Sequence, residues 1–217
     1  MSVIRQPEVL GRTTRRRVVG VTAALSAAAV ETVGVGLWFG LVVGSRTTST
    51  ALAGLGILFC GSLLRAGVFG ATVSDLGDLL EPHRLGAAVV LTTGWVLWLL
   101  VAELIGGSIG VVVGTTVLAG VLTAQFVLER RVFRLRAKRS NDGTTVTAAI
   151  SGLLMAAGAS ALLATTWFTD WVLSSPPLSL GFTTVVVEIV ALHIGVLVFG
   201  FVAFLAHQHR FQRILDP

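Results

Sequence analysis

The stretch Val18–Gly44, VVGVTAALSAAAVETVGVGLWFGLVVG, decides the fold. Its only charge is Glu31, and the run is long enough to cross a hydrocarbon core, which takes about 20 helical residues. Five more apolar runs follow, at 50–72, 85–106, 108–129, 145–169 and 181–206. None contains proline: Pro7, Pro82, Pro176, Pro177 and Pro217 all fall between or outside them. Uninterrupted helices satisfy their own backbone hydrogen bonds in lipid. The expected fold is therefore all-α, a polytopic transmembrane bundle of six helices. A basic tail over 1–17 precedes the membrane domain at 18–206, and a short tail covers 207–217.

Composition agrees. Of 217 residues, 54% are apolar and 12% charged, with a mean hydropathy of +0.88. Soluble domains carry about 25% charged residues, too many to match this chain. The net charge of +5 raises the question of nucleic acid, but the basic residues sit in short blocks beside apolar runs and no recognition motif accompanies them. The partner implied is a lipid bilayer with anionic headgroups, not nucleic acid. Cys60 stands alone, so no intrachain disulfide and no multi-cysteine metal site can form. The sequence suggests no metal or other cofactor. The loop residues Asp75, Asp78, Glu81 and His83 are spaced irregularly around Pro82 and read as a solvated loop.

Six crossings place 14 of the 16 basic residues on one side, leaving Arg46 opposite and Arg65 inside the second run. The positive-inside rule then predicts both termini in the cytoplasm of a multi-pass cell-membrane protein. Trp38, Trp95, Trp98, Trp167 and Trp171 map to the outer halves of their spans, as an interfacial aromatic belt would. Arg130, Arg131, Arg134, Arg136, Lys138 and Arg139 extend the fourth span into the cytoplasm. There they would contact anionic lipid at about 1 kcal/mol each. A rival reading takes Arg15-Arg16-Arg17 as a twin-arginine export signal, whose cleavage would leave five spans. The apolar run continues well past Ala29, and that reading spoils the charge asymmetry.

Small residues recur every fourth position: Gly36, Gly40 and Gly44; Gly110 and Gly114; Gly152, Ala156, Ser160 and Ala164. Such stripes allow close helix approach where lipid supplies no hydrophobic drive. Packing within the chain is the expectation, with a homo-oligomer through these faces as the alternative.

The intramembrane polar candidates are Glu31, Arg65, Glu103, Glu188 and His193. An ionisable group at bilayer depth costs roughly 2.5–3.5 kcal/mol and normally faces a partner or water. Arg65 lies about 9 Å nearer the cytoplasm than Glu31 by helix rise, and opposed side-chain tilts bring the two together. A buried ion pair locking the first hairpin is predicted, with a proton or ion pathway as the alternative. Glu103, Glu188 and His193 have no evident countercharge and invite a proton relay or cation site. Glu188 and His193 are about 140° apart on a helix, so they cannot face one point together. His207 and His209 read as surface residues of the C-terminal tail.

Gly106-Gly107-Ser108-Ile109-Gly110 opens the fourth span, and Leu192-His193-Ile194-Gly195 lies in the sixth. With the six-span count, these resemble the rhomboid intramembrane serine proteases. The resemblance implies Ser108 as nucleophile and His193 as its base. Ile109 replaces that motif's second glycine, the family's His and Asn are missing from span two, and the first outer loop is far shorter. The functional expectations are thus a small transporter or channel-like protein using intramembrane carboxylates, a non-catalytic membrane subunit or scaffold, and a rhomboid-like hydrolase.

Overall fold

A computed structural model describes residues 7–45, 47–73, 82–132, 141–179 and 181–215. Six helices carry the chain: α1 (Pro7–Gly44), α2 (Thr48–Val73), α3 (Pro82–Ile105), α4 (Gly107–Val132), α5 (Asn141–Phe168) and α6 (Ala191–Leu215). Each contains a segment long and apolar enough to span a membrane. The chain is therefore built as a multi-pass membrane protein; the end of the helix ring at which α1 begins and α6 ends is called here the terminal side.

The connections on the far side are set by local chemistry. Between α1 and α2, Thr47 and Thr50 cap reciprocally, each hydroxyl accepting the other residue's backbone N–H at 3.2 Å. That is the capping-box geometry, with threonine in the place usually held by Glu or Gln. Between α3 and α4 the reversal takes two residues. Gly106 and Gly107 both adopt positive φ, 73° and 57°, and the Gly106 N–H closes on the Ala102 carbonyl at 2.8 Å. Side chains other than glycine resist that conformation. The glycines that suggested a protease motif are thus the turn itself.

The sixth span departs from expectation. Residues 172–179 and 181–190 carry two antiparallel strand pairings, where a helix is expected from 181 onward. β1 (Val172–Ser174) pairs antiparallel with β4 (Glu188–Val190), and β2 (Leu178–Ser179) with β3 (Thr184–Val185). Pro176 and Pro177 lack the N–H groups a ladder needs and fall between the two pairings. The run Thr183-Thr184-Val185-Val186-Val187 is β-branched and favours strand. Hydropathy alone does not distinguish such a run from a helix. Helix α6 therefore spans Ala191–Leu215, not 181–206, which carries His207 and Arg210 out of the expected tail and into the bundle.

The helices form a closed ring in chain order. Each packs on its sequence neighbours, and α6 closes onto α1. Helices that are not adjacent meet mainly through side chains that cross the lumen. Toward the far side this filling is aromatic: Phe39 of α1 stacks on Trp98 of α3 at 6.1 Å, and Trp95 meets Phe199 of α6 edge-on at 5.6 Å. Trp38, Trp95 and Trp98 are thus buried core residues and not lipid-interface anchors; only Trp171 is exposed among the five.

Glycine seams hold the ring tight. A Cβ on Gly61 would lie 3.2 Å from the Gly34 Cα, one on Gly152 would lie 2.6 Å from Thr123 Oγ1, and one on Gly110 would collide with the Ala102 carbonyl. Gly36, Gly110, Gly114 and Gly152 thus all face neighbours within the chain. Gly110→Ala should therefore force α3 and α4 apart and destabilise the protein by about 1–3 kcal/mol, the usual cost of overpacking. Gly120→Ala, with nothing within 4 Å of the added methyl, should be near neutral. Thermal unfolding of both variants in detergent measures the difference; equal midpoints would refute the seam.

Candidate functional site

Toward the terminal side, the lumen changes from aromatic to ionic. Glu31 on α1, Arg65 on α2, Gln125 and Glu129 on α4, and His207 and Arg210 on α6 are all buried. Helical spacing gathers them. Gln125 and Glu129 are four apart and His207 and Arg210 three apart, so each pair shares one helix face.

Glu129 is the hub. Its Oε1 accepts from Arg65 Nη2 at 2.8 Å and from Gln125 Nε2 at 3.1 Å, and its Oε2 accepts from Arg210 Nη2 at 2.6 Å. Gln125 donates its other N–H to the Ala87 carbonyl of α3 at 2.8 Å. Both guanidinium groups also lie against the Phe126 ring, at 5.5 Å for Arg65 and 4.5 Å for Arg210. These distances are within cation–π range, and the ring face presents its negative quadrupole to the two cations. Charge-assisted bonds of this kind are about twice as strong as neutral ones.

Glu31 is held differently. Its Oε2 lies 2.8 Å from His207 Nε2 and 3.7 Å from Arg65 Nη1. With the carboxylate ionised, Nε2 carries the proton and donates. Oε1 is buried with no hydrogen-bond partner. Two carboxylates and two guanidiniums balance, so the set is formally neutral when His207 is neutral and gains one positive charge when it is protonated.

Beside Glu31 is a small void between α1, α2 and α3, lined by Gly34, Leu58, Gly61, Ser62 and Trp95. About 10 Å³ of it is open to the centre of a water molecule, close to the least space that holds one water. The Trp95 indole N–H is also buried without a partner. Ser62 Oγ accepts from Thr92 Oγ1 at 3.3 Å, leaving its own proton available.

The structure thus joins Glu31 to Arg65, but each has a closer partner than the other. It does not gather the remaining candidates. Glu103 is exposed in the last turn of α3. Glu188 is exposed on strand β4, opposite Ser174. His193 is exposed at the start of α6, where its Nδ1 accepts the Val190 N–H at 3.1 Å. Ser108 is exposed and makes no bond to His193; α4 lies between α3 and α5, whereas α6 lies between α5 and α1.

Of the proposed lipid-contacting arm, Arg130 and Arg131 continue the backbone of α4, and Arg134, Arg136, Lys138 and Arg139 lie outside the described residues. Asp75, Asp78 and Glu81 lie outside them too. Among the described residues no cluster of His, Cys, Asp and Glu is placed to hold a metal.

Sequence reasoning missed Glu129, Gln125, His207 and Arg210. The signal that would have found the first is a lone acid at the head of a basic run, four residues after a glutamine in an apolar helix. No known protein family matches the chain, nor does any curated protein or solved structure.

The two carboxylates should respond unequally to neutralisation. Glu129→Gln leaves two buried guanidiniums short of their shared anion, which should cost about 3–5 kcal/mol. Glu31→Gln removes one short contact to a neutral imidazole and one long contact to Arg65, and should cost about 1–3 kcal/mol. Denaturation midpoints in detergent should fall in the order wild type, Glu31→Gln, Glu129→Gln. A reversed order would show that Glu31, and not Glu129, is the structural hub.

Proposed function

We propose that the chain is a small transporter of the cell membrane in which Glu31 is the exchanging carboxylate, linked to protons or another cation. Both termini would be cytoplasmic, with the basic arm after α4 resting on anionic headgroups. One observation carries the reading: Glu31 Oε1 is buried on the ring's interior with no partner beside a water-sized void. A carboxylate kept only to lock helices gains from having both oxygens occupied, because an unsatisfied buried acceptor costs about 1–3 kcal/mol. His207, 2.8 Å from the other oxygen, supplies a second proton-exchanging group in direct contact with Glu31. A proton arriving at either group alters the balance of the whole cluster.

The ion pairs that Glu129 makes with Arg65 and Arg210 favour the second reading, a non-catalytic membrane subunit whose buried charges fix helix order. Flux separates the two. Liposomes carrying the wild type should dissipate a proton or cation gradient faster than empty vesicles, and Glu31→Gln should lose most of that flux while staying folded. Wild-type vesicles no leakier than empty ones, across several ions and gradients, would transfer the weight to the subunit reading.

A further inference from the structure

The void beside Glu31 has an outer counterpart. On the lipid-facing surface a groove of about 660 Å³ runs between α1 and α2, lined by Ala29, Val33, Ala53, Gly56, Cys60 and Leu64 among others. Its lining is wholly apolar. Gly34 and Gly61 line both the groove and the void. These two residues, one from each helix, meet without side chains, so a glycine contact lies between the groove and the Glu31 chamber.

We propose that this groove and chamber together form a binding site for a lipophilic alcohol, its chain in the groove and its hydroxyl passed between Gly34 and Gly61 to Glu31. The inference rests on the reading of Glu31 as a ligand-exchanging carboxylate. Three features select the head group. The chamber has room for about one small polar atom, which excludes a bulky or phosphorylated head. Two residues that line the chamber carry buried atoms without a hydrogen-bond partner, the acceptor Glu31 Oε1 and the donor Trp95 Nε1. A hydroxyl donates to the first and accepts from the second, whereas an ammonium group has no lone pair to offer the indole. Arg65 Nη1, 3.7 Å from Glu31 Oε2 and without a hydrogen-bond partner, sets a guanidinium beside Glu31 that opposes a cationic head. The apolar groove supplies what the tail needs. The seam is closed in this structure, and the ligand enters by parting α1 from α2.

The test is photolabelling of the full-length protein in nanodiscs with dodecanol carrying a terminal diazirine, against matched diazirine forms of dodecylamine and dodecane. The alcohol should label peptides covering 29–34 and 53–64 about tenfold more than the alkane, the value of one hydrogen bond to a charged group. Glu31→Gln and Trp95→Phe should each reduce that excess. Gly56→Leu, placed where an added Cβ meets nothing within 4 Å, should fill the groove and abolish labelling while the ionic cluster stays intact. Equal labelling by all three probes, labelling spread over every lipid-facing helix, or preference for the amine would overturn the proposal. Labelling needs no gradient, so its failure is separable from a failure of flux. Flux retained in Gly56→Leu with labelling lost would assign transport to Glu31 and the lipid site to the groove independently.

Discussion

The structure depends on the burial of one anion. Glu129 lies where water is scarce, and an isolated carboxylate there would be strongly disfavoured. Two guanidiniums and an amide neutralise it, and they come from three helices: Arg65 from α2, Arg210 from α6 and Gln125 from α4 itself. In a ring whose helices pack mainly on their sequence neighbours, the bonds from α2 to α4 and from α4 to α6 span the lumen. They constrain diameter and register at once, which contacts between adjacent helices cannot do. Such a cluster adds little net stability compared with an apolar core, but it penalises every arrangement that leaves one charge behind.

The rest of the lumen follows from the same shortage of driving force. Helices in lipid gain little from hiding apolar surface from one another, so association relies on close packing. Glycine at positions such as 34, 61, 110 and 152 brings backbones together, and the large rings of Trp95, Trp98, Phe39 and Phe199 fill what the small residues leave. Edge-to-face and offset contacts of this kind contribute about 0.5–1.5 kcal/mol each beyond their area. Phe126 joins the two layers. It belongs to the core cluster, yet its face receives both arginines.

Much of this architecture is legible in the sequence, because span length and charge are physical requirements of the bilayer. The six apolar helices and the meeting of Glu31 with Arg65 follow from apolar runs and helix rise. The ion cluster was not legible, for one main reason. Residues 181–190 are as apolar as a span, and reading them as helix shifted the last crossing by about two and a half turns. His207 and Arg210 then appeared to lie in solvent. Their strand character was written in β-branched residues and in Pro176-Pro177, signals that hydropathy does not weigh. Glu129 was obscured by the basic residues after it, which read together as one solvated arm. The tryptophans erred in the opposite direction: an interfacial preference is a statistical habit of indole, and burial depends on what each helix faces.

What separates the two buried glutamates is saturation. Glu129 receives three charge-assisted or amide bonds, and any ligand approaching it must displace one of them. Glu31 has one short contact, one long contact and an empty oxygen, in a chamber that also contains a spare indole donor. A fully satisfied polar network rigidifies, whereas a partly satisfied one carries a standing cost. That cost falls when a proton, a water or a hydroxyl arrives at Oε1. The same network therefore supplies a fixed half and an exchangeable half, linked through Arg65, which touches both carboxylates. A change at Glu31 reaches Glu129 through one guanidinium.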